Sequence, residues 1–183
     1  RLRLWYTGGS LDNMIWSQLY SSWSVWLVSK SAGMMNELCR VIAQRTDGIH
    51  TAISIWWDRY PFSTFEEIVL SYEKIDEIQM IVLLWEVGNK DELIIADLVK
   101  NWKITKPIVA WISWWFAEQT QQEVQFGHAG AKANAGEETA SYKNKYLKNA
   151  GIHIPDSYRS FGDMIKDVFE KKCNAVQPLI SKE

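Results

Sequence analysis

Apolar positions along this chain alternate between two periods. Residues 25–28, 51–55, 80–84 and 108–112 are short, nearly unbroken apolar runs rich in Val and Ile. Runs of that length predict strands buried on both faces, as in a parallel sheet. Residues 152–154 have the same character and predict a last short strand.

Between these runs the period changes to that of a helix. Met34, Leu38, Val41 and Ile42 fall at i, i+4, i+7 and i+8, and Phe65, Ile68, Val69 and Tyr72 at i, i+3, i+4 and i+7. Ile95, Leu98, Val99 and Trp102 repeat the second spacing, as do Phe161, Met164, Ile165, Val168 and Phe169. Each set places an apolar stripe on one helix face. Ser63 with Glu66 predicts a capping box at the second helix, and Ser160 with Asp163 a weaker one at the last. Residues 137–148 predict a fifth, more polar helix on the surface.

Strand and helix alternate about five times, which predicts an α/β fold, a doubly wound, mainly parallel sheet with right-handed crossovers. Ligands in such sheets bind beyond the carboxyl ends of the strands. The loops after Val28, Ile55, Leu84 and Ile112 are therefore where chemistry is expected.

Composition narrows the classes of function. The chain has 183 residues, with 20 Lys and Arg against 22 Asp and Glu, for a net charge of -2. That balance gives no overall field for nucleic acid or an anionic membrane. No apolar run reaches the roughly 18 residues that a membrane-spanning helix needs. Two cysteines make no disulfide framework, so a reducing, cytoplasmic compartment is expected. The chain opens at Arg1 without a start Met, as a piece of a longer polypeptide would.

Three places can carry chemistry. Ser29-Lys30-Ser31-Ala32-Gly33 joins a strand to a helix, and small residues at a helix start leave amides and the helix dipole open to an anion. The same residues also read as an ordinary serine cap, and they lack the Gly-x4-Gly-Lys-Ser/Thr spacing of a P-loop. Gly127-His128-Ala129-Gly130-Ala131 holds an imidazole with little steric cover, suited to nucleophilic attack on phosphorus or, more plainly, to one loop hydrogen bond. Glu86 follows a strand at its carboxyl end, where it could orient an imidazole, bind a metal, or simply face solvent. His50, His128 and His153 show no zinc-ligand spacing.

The string Val124-Gln125-Phe126-Gly127-His128-Ala129-Gly130-Ala131 resembles the phosphohistidine loop of acyl-CoA synthetases of the succinyl-CoA synthetase superfamily. With Asp58-Arg59-Tyr60-Pro61-Phe62-Ser63-Thr64-Phe65, Thr7-Gly8-Gly9-Ser10-Leu11-Asp12-Asn13 and Lys106-Pro107-Ile108-Val109, it is more similar to the ATP-citrate lyase family than to the succinyl-CoA ligase α-type chains. The likeness runs from about residue 4 to residue 169.

That resemblance implies a flavodoxin-like succinyl-CoA synthetase domain over residues 25–170. Residues 1–24 would lead in from a missing coenzyme A-binding domain, and residues 171–183 would be a linker or tail. It implies cleavage of citrate to acetyl-CoA and oxaloacetate, with ATP, Mg2+ and coenzyme A, through a phosphohistidine and citryl-phosphate. His128 would carry the phosphoryl group, with Gly127, Ala129 and Gly130 around it. Ser31, Ala32 and Gly33 would cradle the phosphate, and Glu86 would contact His128 or the magnesium. Lys148, Asn149 and Ala150 would lie toward coenzyme A. An ATP-grasp domain or subunit, a homo- or hetero-oligomer and a role in lipid synthesis are implied too, and the segment alone is expected to turn nothing over. The other readings are a succinyl-CoA ligase α-type subunit and a non-catalytic assembly domain with the same fold.

One departure from the family is expected to matter. The chain carries 11 Trp against 10 Gly. By resemblance, Trp5, Trp23, Trp26, Trp56, Trp57, Trp85, Trp102 and Trp114 stand where the family has glycine. A close-packed interior is expected not to absorb that much added indole, and Trp56-Trp57 to crowd the crevice beside the phosphate loop.

Overall fold

The computed structural model describes residues 3–6, 24–55, 64–88, 90–113 and 136–173. Five strands form one wholly parallel sheet: β1 (Arg3–Tyr6), β2 (Val25–Ser29), β3 (Ile49–Ser54), β4 (Met80–Glu86) and β5 (Ile108–Ser113). Their order is β1-β3-β2-β4-β5. Among the described residues, five helices flank them: α1 (Ala32–Ala43), α2 (Phe65–Glu73), α3 (Asp91–Lys100), α4 (Ala140–Asn149) and α5 (Tyr158–Lys172). A short 3-10 turn, Gly136–Glu138, precedes α4.

The sheet is doubly wound because every central strand is apolar on both faces. In β4, Met80, Val82 and Leu84 point to one layer, where they meet Met35, Leu38, Cys39 and Ile42 of α1 and Phe161, Ile165, Val168 and Phe169 of α5. Ile81, Leu83 and Trp85 point to the other, with Phe65 and Val69 of α2, Ile95 and Leu98 of α3, and Ala140 and Leu147 of α4. Each such side chain, fully buried, contributes roughly 1.5–3 kcal/mol.

Topology fixes where a ligand can enter. The chain runs outward from β2 to β3, then crosses back over β2 to β4. The order therefore reverses between β2 and β4, and their carboxyl ends open a crevice. Ser29 and Lys30 leave β2 there, and Glu86 ends β4 at the same edge. The Lys30 amide donates to the Leu84 carbonyl at 3.0 Å, and the Ile55 amide to the Ser29 carbonyl at 2.9 Å, so the three loops start close together.

Several details differ from the sequence expectation. Residues 3–6 form an edge strand that periodicity did not mark, since four residues are too few for a pattern. Residues 152–154 make one parallel bridge, Val109 with His153, rather than a strand. The capping boxes shift along the chain. Thr64 with Glu67 caps α2 in place of Ser63 with Glu66, and Ser157 with Ser160 caps α5 in place of Ser160 with Asp163. In both helices the first residue inside is aromatic, Phe65 or Tyr158, and the cap is the hydroxyl just before it. α5 runs through Lys172 with Cys173 buried behind it, two residues into the segment read as a tail.

Two expectations about bulk are corrected. Trp102 does not continue the apolar stripe of α3: it lies beyond the helix, 83% exposed, with φ 58°. Trp26 and Trp85 are absorbed in the core at 0% exposure. Trp26 stacks on Tyr72 with ring centroids 4.1 Å apart, and Trp85 meets Phe65 edge-on at 5.6 Å. Small neighbours on the same face, Ala96, Ala110 and Ala140, share that layer. The absorption has a cost, since neither indole N–H has a hydrogen-bond partner among the described residues. Trp16, Trp23, Trp56, Trp57, Trp114 and Trp115 lie outside the described residues.

Candidate functional site

The mouth of α1 is built by two serines. Ser31 is the N-cap, and its side chain accepts from the Met34 amide at 3.3 Å. Ser29 braces it: the Ser31 amide donates to Ser29 Oγ at 3.0 Å, and Ser29 Oγ donates to the Ser31 carbonyl at 2.8 Å. The first turn of α1 contains no acidic residue, so the positive end of its dipole is not countered from within the helix. Apart from its chain neighbours and the backbone of its own helix, no described atom lies within 4 Å of where a Cβ on Gly33 would stand. Ser31, Ala32 and Gly33 thus form a braced helix start at the crevice, with room beside it.

Glu86 ends β4 at the same edge and is 2% exposed. It is not the solvated loop carboxylate of the simplest sequence reading. In register it stands opposite Ser113, the last residue of β5, whose Oγ donates to the Trp85 carbonyl at 3.0 Å. His128, Gly127, Ala129 and Gly130 lie outside the described residues. The described residues on either side of their segment do not. Ser113 leaves β5 beside Glu86. After the segment, the Gly88 amide donates to the Glu138 carbonyl at 3.0 Å, and Lys90 pairs with Glu137 at 2.7 Å. That exposed pair holds the Lys90 ammonium above its usual range and the Glu137 carboxyl below its own, through their hydrogen bond.

Behind Glu86 lies a charge cluster that the sequence did not disclose. Lys143 of α4 and Glu92 of α3 are both 0% exposed, with Nζ 3.0 Å from Oε2. Lys143 Nζ also donates to the carbonyl oxygens of Glu86, at 3.1 Å, and of Gly88. Lys30 Nζ stands 3.4 Å from Asp91, 4.0 Å from Glu92 and 5.3 Å from the centre of the Phe65 ring. Burial pushes the Lys143 ammonium below the usual lysine range, while Glu92 beside it pulls the other way. Two cations and two anions, drawn from three separate segments, sit at the switch point of the sheet.

One sequence signal could have found this cluster. Ala140, Lys143 and Leu147 fall at i, i+3 and i+7, which puts the lysine on the buried stripe of a helix that otherwise reads as surface. Asp91 and Glu92 lie in the first turn of α3, where the helix dipole favours acids whatever else they contact.

Lys148, Asn149 and Ala150 are not brought to the crevice. They close α4 at the opposite edge of the sheet, where Lys148 pairs with Asp156 at 3.2 Å. Asn149 and Ala150 line a cavity of about 500 Å3 together with Pro107 and Ile108 at the start of β5.

The described residues form no magnesium cage. No group of three or more His, Cys, Asp or Glu converges among them. Asp91 and Glu92, at the start of α3, are already paired with lysines. Among the described residues, no helix is long and apolar enough to cross a membrane.

Comparison with known proteins places these features in context. The CoA-ligase family model matches residues 28–153. A probable ATP-citrate synthase of Caenorhabditis elegans is 47% identical over 165 residues, covering 90% of this chain and 15% of its own length. The ATP-citrate synthase of Homo sapiens is 46% identical over 164 residues, again 90% of this chain and 15% of its own. The solved structure of ATP citrate lyase from Methanothrix soehngenii, in complex with citrate and coenzyme A, superposes with a TM-score of 0.85. It is 41% identical and is matched over 96% of this chain and 29% of its own. The chain thus spans between 15% and 29% of the length of these relatives.

Proposed function

This chain belongs to the CoA-ligase family, and from that membership we propose that it is the phosphohistidine-bearing part of an ATP-citrate lyase. In this reading the imidazole of His128 attacks the γ-phosphorus of ATP. An N–P bond forms, the P–O bond to ADP breaks, and the base that orients the ring holds the remaining N–H. A carboxylate of citrate then attacks the same phosphorus, releasing the imidazole and giving citryl-phosphate. The thiolate of coenzyme A displaces phosphate to give citryl-CoA, which is cleaved to acetyl-CoA and oxaloacetate elsewhere in the full protein.

The roles divide as the chemistry demands. A phosphoryl group on nitrogen needs amide donors and positive potential, and the open start of α1 at Ser31, Ala32 and Gly33 offers both. Gly127, Ala129 and Gly130 leave the ring accessible. Glu86 accepts the far N–H of the imidazole and fixes its tautomer. Magnesium travels with ATP, held chiefly by its phosphates. Lys148, Asn149 and Ala150, at the other edge, are kept as contacts for coenzyme A or its domain. ATP-grasp and citryl-CoA lyase parts, an oligomer, a cytoplasmic setting and a supply of acetyl-CoA for lipid synthesis belong to the same proposal.

The observation that carries it is convergence on one edge. The braced mouth of α1, Glu86 and both flanks of the histidine segment meet at the carboxyl ends of β2, β4 and β5. The test uses the full parent protein with its ATP-grasp part, MgATP and γ-labelled phosphate. The expected result is an acid-labile, base-stable label on His128 that citrate discharges and succinate does not. A folded protein that takes up no label, or that succinate discharges, overturns the reading.

A further inference from the structure

We infer that Lys143 is a positioning residue, whose buried ammonium fixes the turn that presents Glu86. The inference rests on the phosphohistidine reading above and adds to it a residue far along the chain from both proposed reacting groups.

The ammonium donates to the carbonyls of Glu86 and Gly88, and the Glu92 carboxylate stands 3.0 Å away as its ion-pair partner, outside hydrogen-bond geometry. All three contacts are to the protein and the side chain is 0% exposed, so it faces no substrate. Gly88 sits between these contacts with φ 80°, its amide bound to Glu138 and its carbonyl to Lys143. One helix entrance, from Glu138 to Lys143, therefore grips the turn from both sides.

Stability alone gives no reason for a charge here. A buried ion pair seldom gains over apolar packing of equal volume. A Met at 143 would suit Ala140 and Leu147 on the same stripe. It would take one donor away from each of two carbonyls, at Glu86 and at Gly88. What the ammonium supplies is the fixed path of the backbone at Glu86. Glu92 neutralises that ammonium and also faces Lys30, which immediately precedes the cap of α1. The same cluster therefore ties the Glu86 turn to the proposed phosphate mouth, so both halves of the site share one support. Displacements of about 1 Å from such supports cost up to roughly 100-fold in rate.

The test compares Lys143→Met with the double variant Glu92→Gln/Lys143→Met in the full parent protein. The single variant leaves Glu92 short of a partner and is expected to melt earlier. The double variant removes both charges and is expected to regain most of the lost melting temperature. In the double variant, the rate of phosphohistidine formation at saturating ATP is expected to stay at least tenfold below wild type, with KM for ATP within twofold. A double variant that phosphorylates at the wild-type rate makes Lys143 a fold staple only and overturns the inference. A loss that falls on KM alone overturns it as well. A wild-type protein that takes no label overturns the underlying reading and the inference with it, and is told apart because the variants then play no part.

Discussion

The Gly88 amide donates to the Glu138 carbonyl at 3.0 Å, a bond that helps join the residues before α4 to the turn after β4. It depends on a left-handed backbone, since Gly88 has φ 80°. Gly88→Ala forces a side chain into a conformation that costs L-residues about 1–2 kcal/mol. The expected outcome is a loss of that size in urea unfolding. Faster hydrogen exchange at the amides of the turn is expected to accompany it.

The same replacement, tryptophan to glycine, should act in opposite directions at two positions. Trp102 is almost wholly exposed with φ 58°, just past the end of α3, where its amide donates to the Val99 carbonyl. Trp102→Gly relieves the strain and gives up little packing, so about 1 kcal/mol of stability and a melting temperature roughly 2–4 °C higher are expected. Trp26 is fully buried against Tyr72. Trp26→Gly empties that space and is expected to cost about 3–5 kcal/mol or more. Thermal melts of the two variants check both signs together.

Both thiols should be silent in the folded state. Cys39 and Cys173 are buried. Burial first, and the charge of Asp47 second, push the Cys173 thiol from 9.0 up to about 11. A thiol reagent at pH 8 is expected to find no fast site before denaturant and two after it. The linkage has a definite sign. Between pH 9.0 and about 11 the unfolded chain releases the Cys173 proton while the folded chain keeps it, so stability falls as pH rises. Cys173→Ala should make that decline shallower, as read from denaturation midpoints across the range.

The register of the α2 cap can be read by a pair of variants. Thr64 and Glu67 bond each other's amides at 3.2 Å. Thr64→Ala is expected to cost about 1 kcal/mol. Glu67→Ala should cost more than Glu66→Ala, because only Glu67 adds a hydrogen bond to its interaction with the helix dipole.

Legibility in the sequence followed the strength of local pattern. Met80–Glu86 and Ile108–Ser113 announce themselves because both faces are apolar, and α5 because its stripe recurs from Phe161 through Phe169. The caps slipped because a second hydroxyl, one residue on at α2 and three residues back at α5, fits the same motif. Trp102 matched the spacing of α3, but spacing does not report where the backbone turns. Ser31, Ala32, Gly33 and Glu86 fall at the carboxyl ends of β2 and β4, as the alternation of strands and helices predicts. The cluster of Lys30, Asp91, Glu92 and Lys143 was not, because no local window contains more than two of its members. Its charges make sense only once the end of β2, α3 and α4 are folded together.

Among the described residues, β1 joins the sheet through its ladder with β3, Arg3 opposite Thr51 through Tyr6 opposite Ser54. Those four residues act as a seal on that rim. A preparation trimmed behind Tyr6 would present the bare amides and carbonyls of Ile49–Ser54 to any extended segment nearby. Shortened versions of the protein would then be sticky, adding strands to one another as concentration rises, and the opening residues belong in any sample meant for assay.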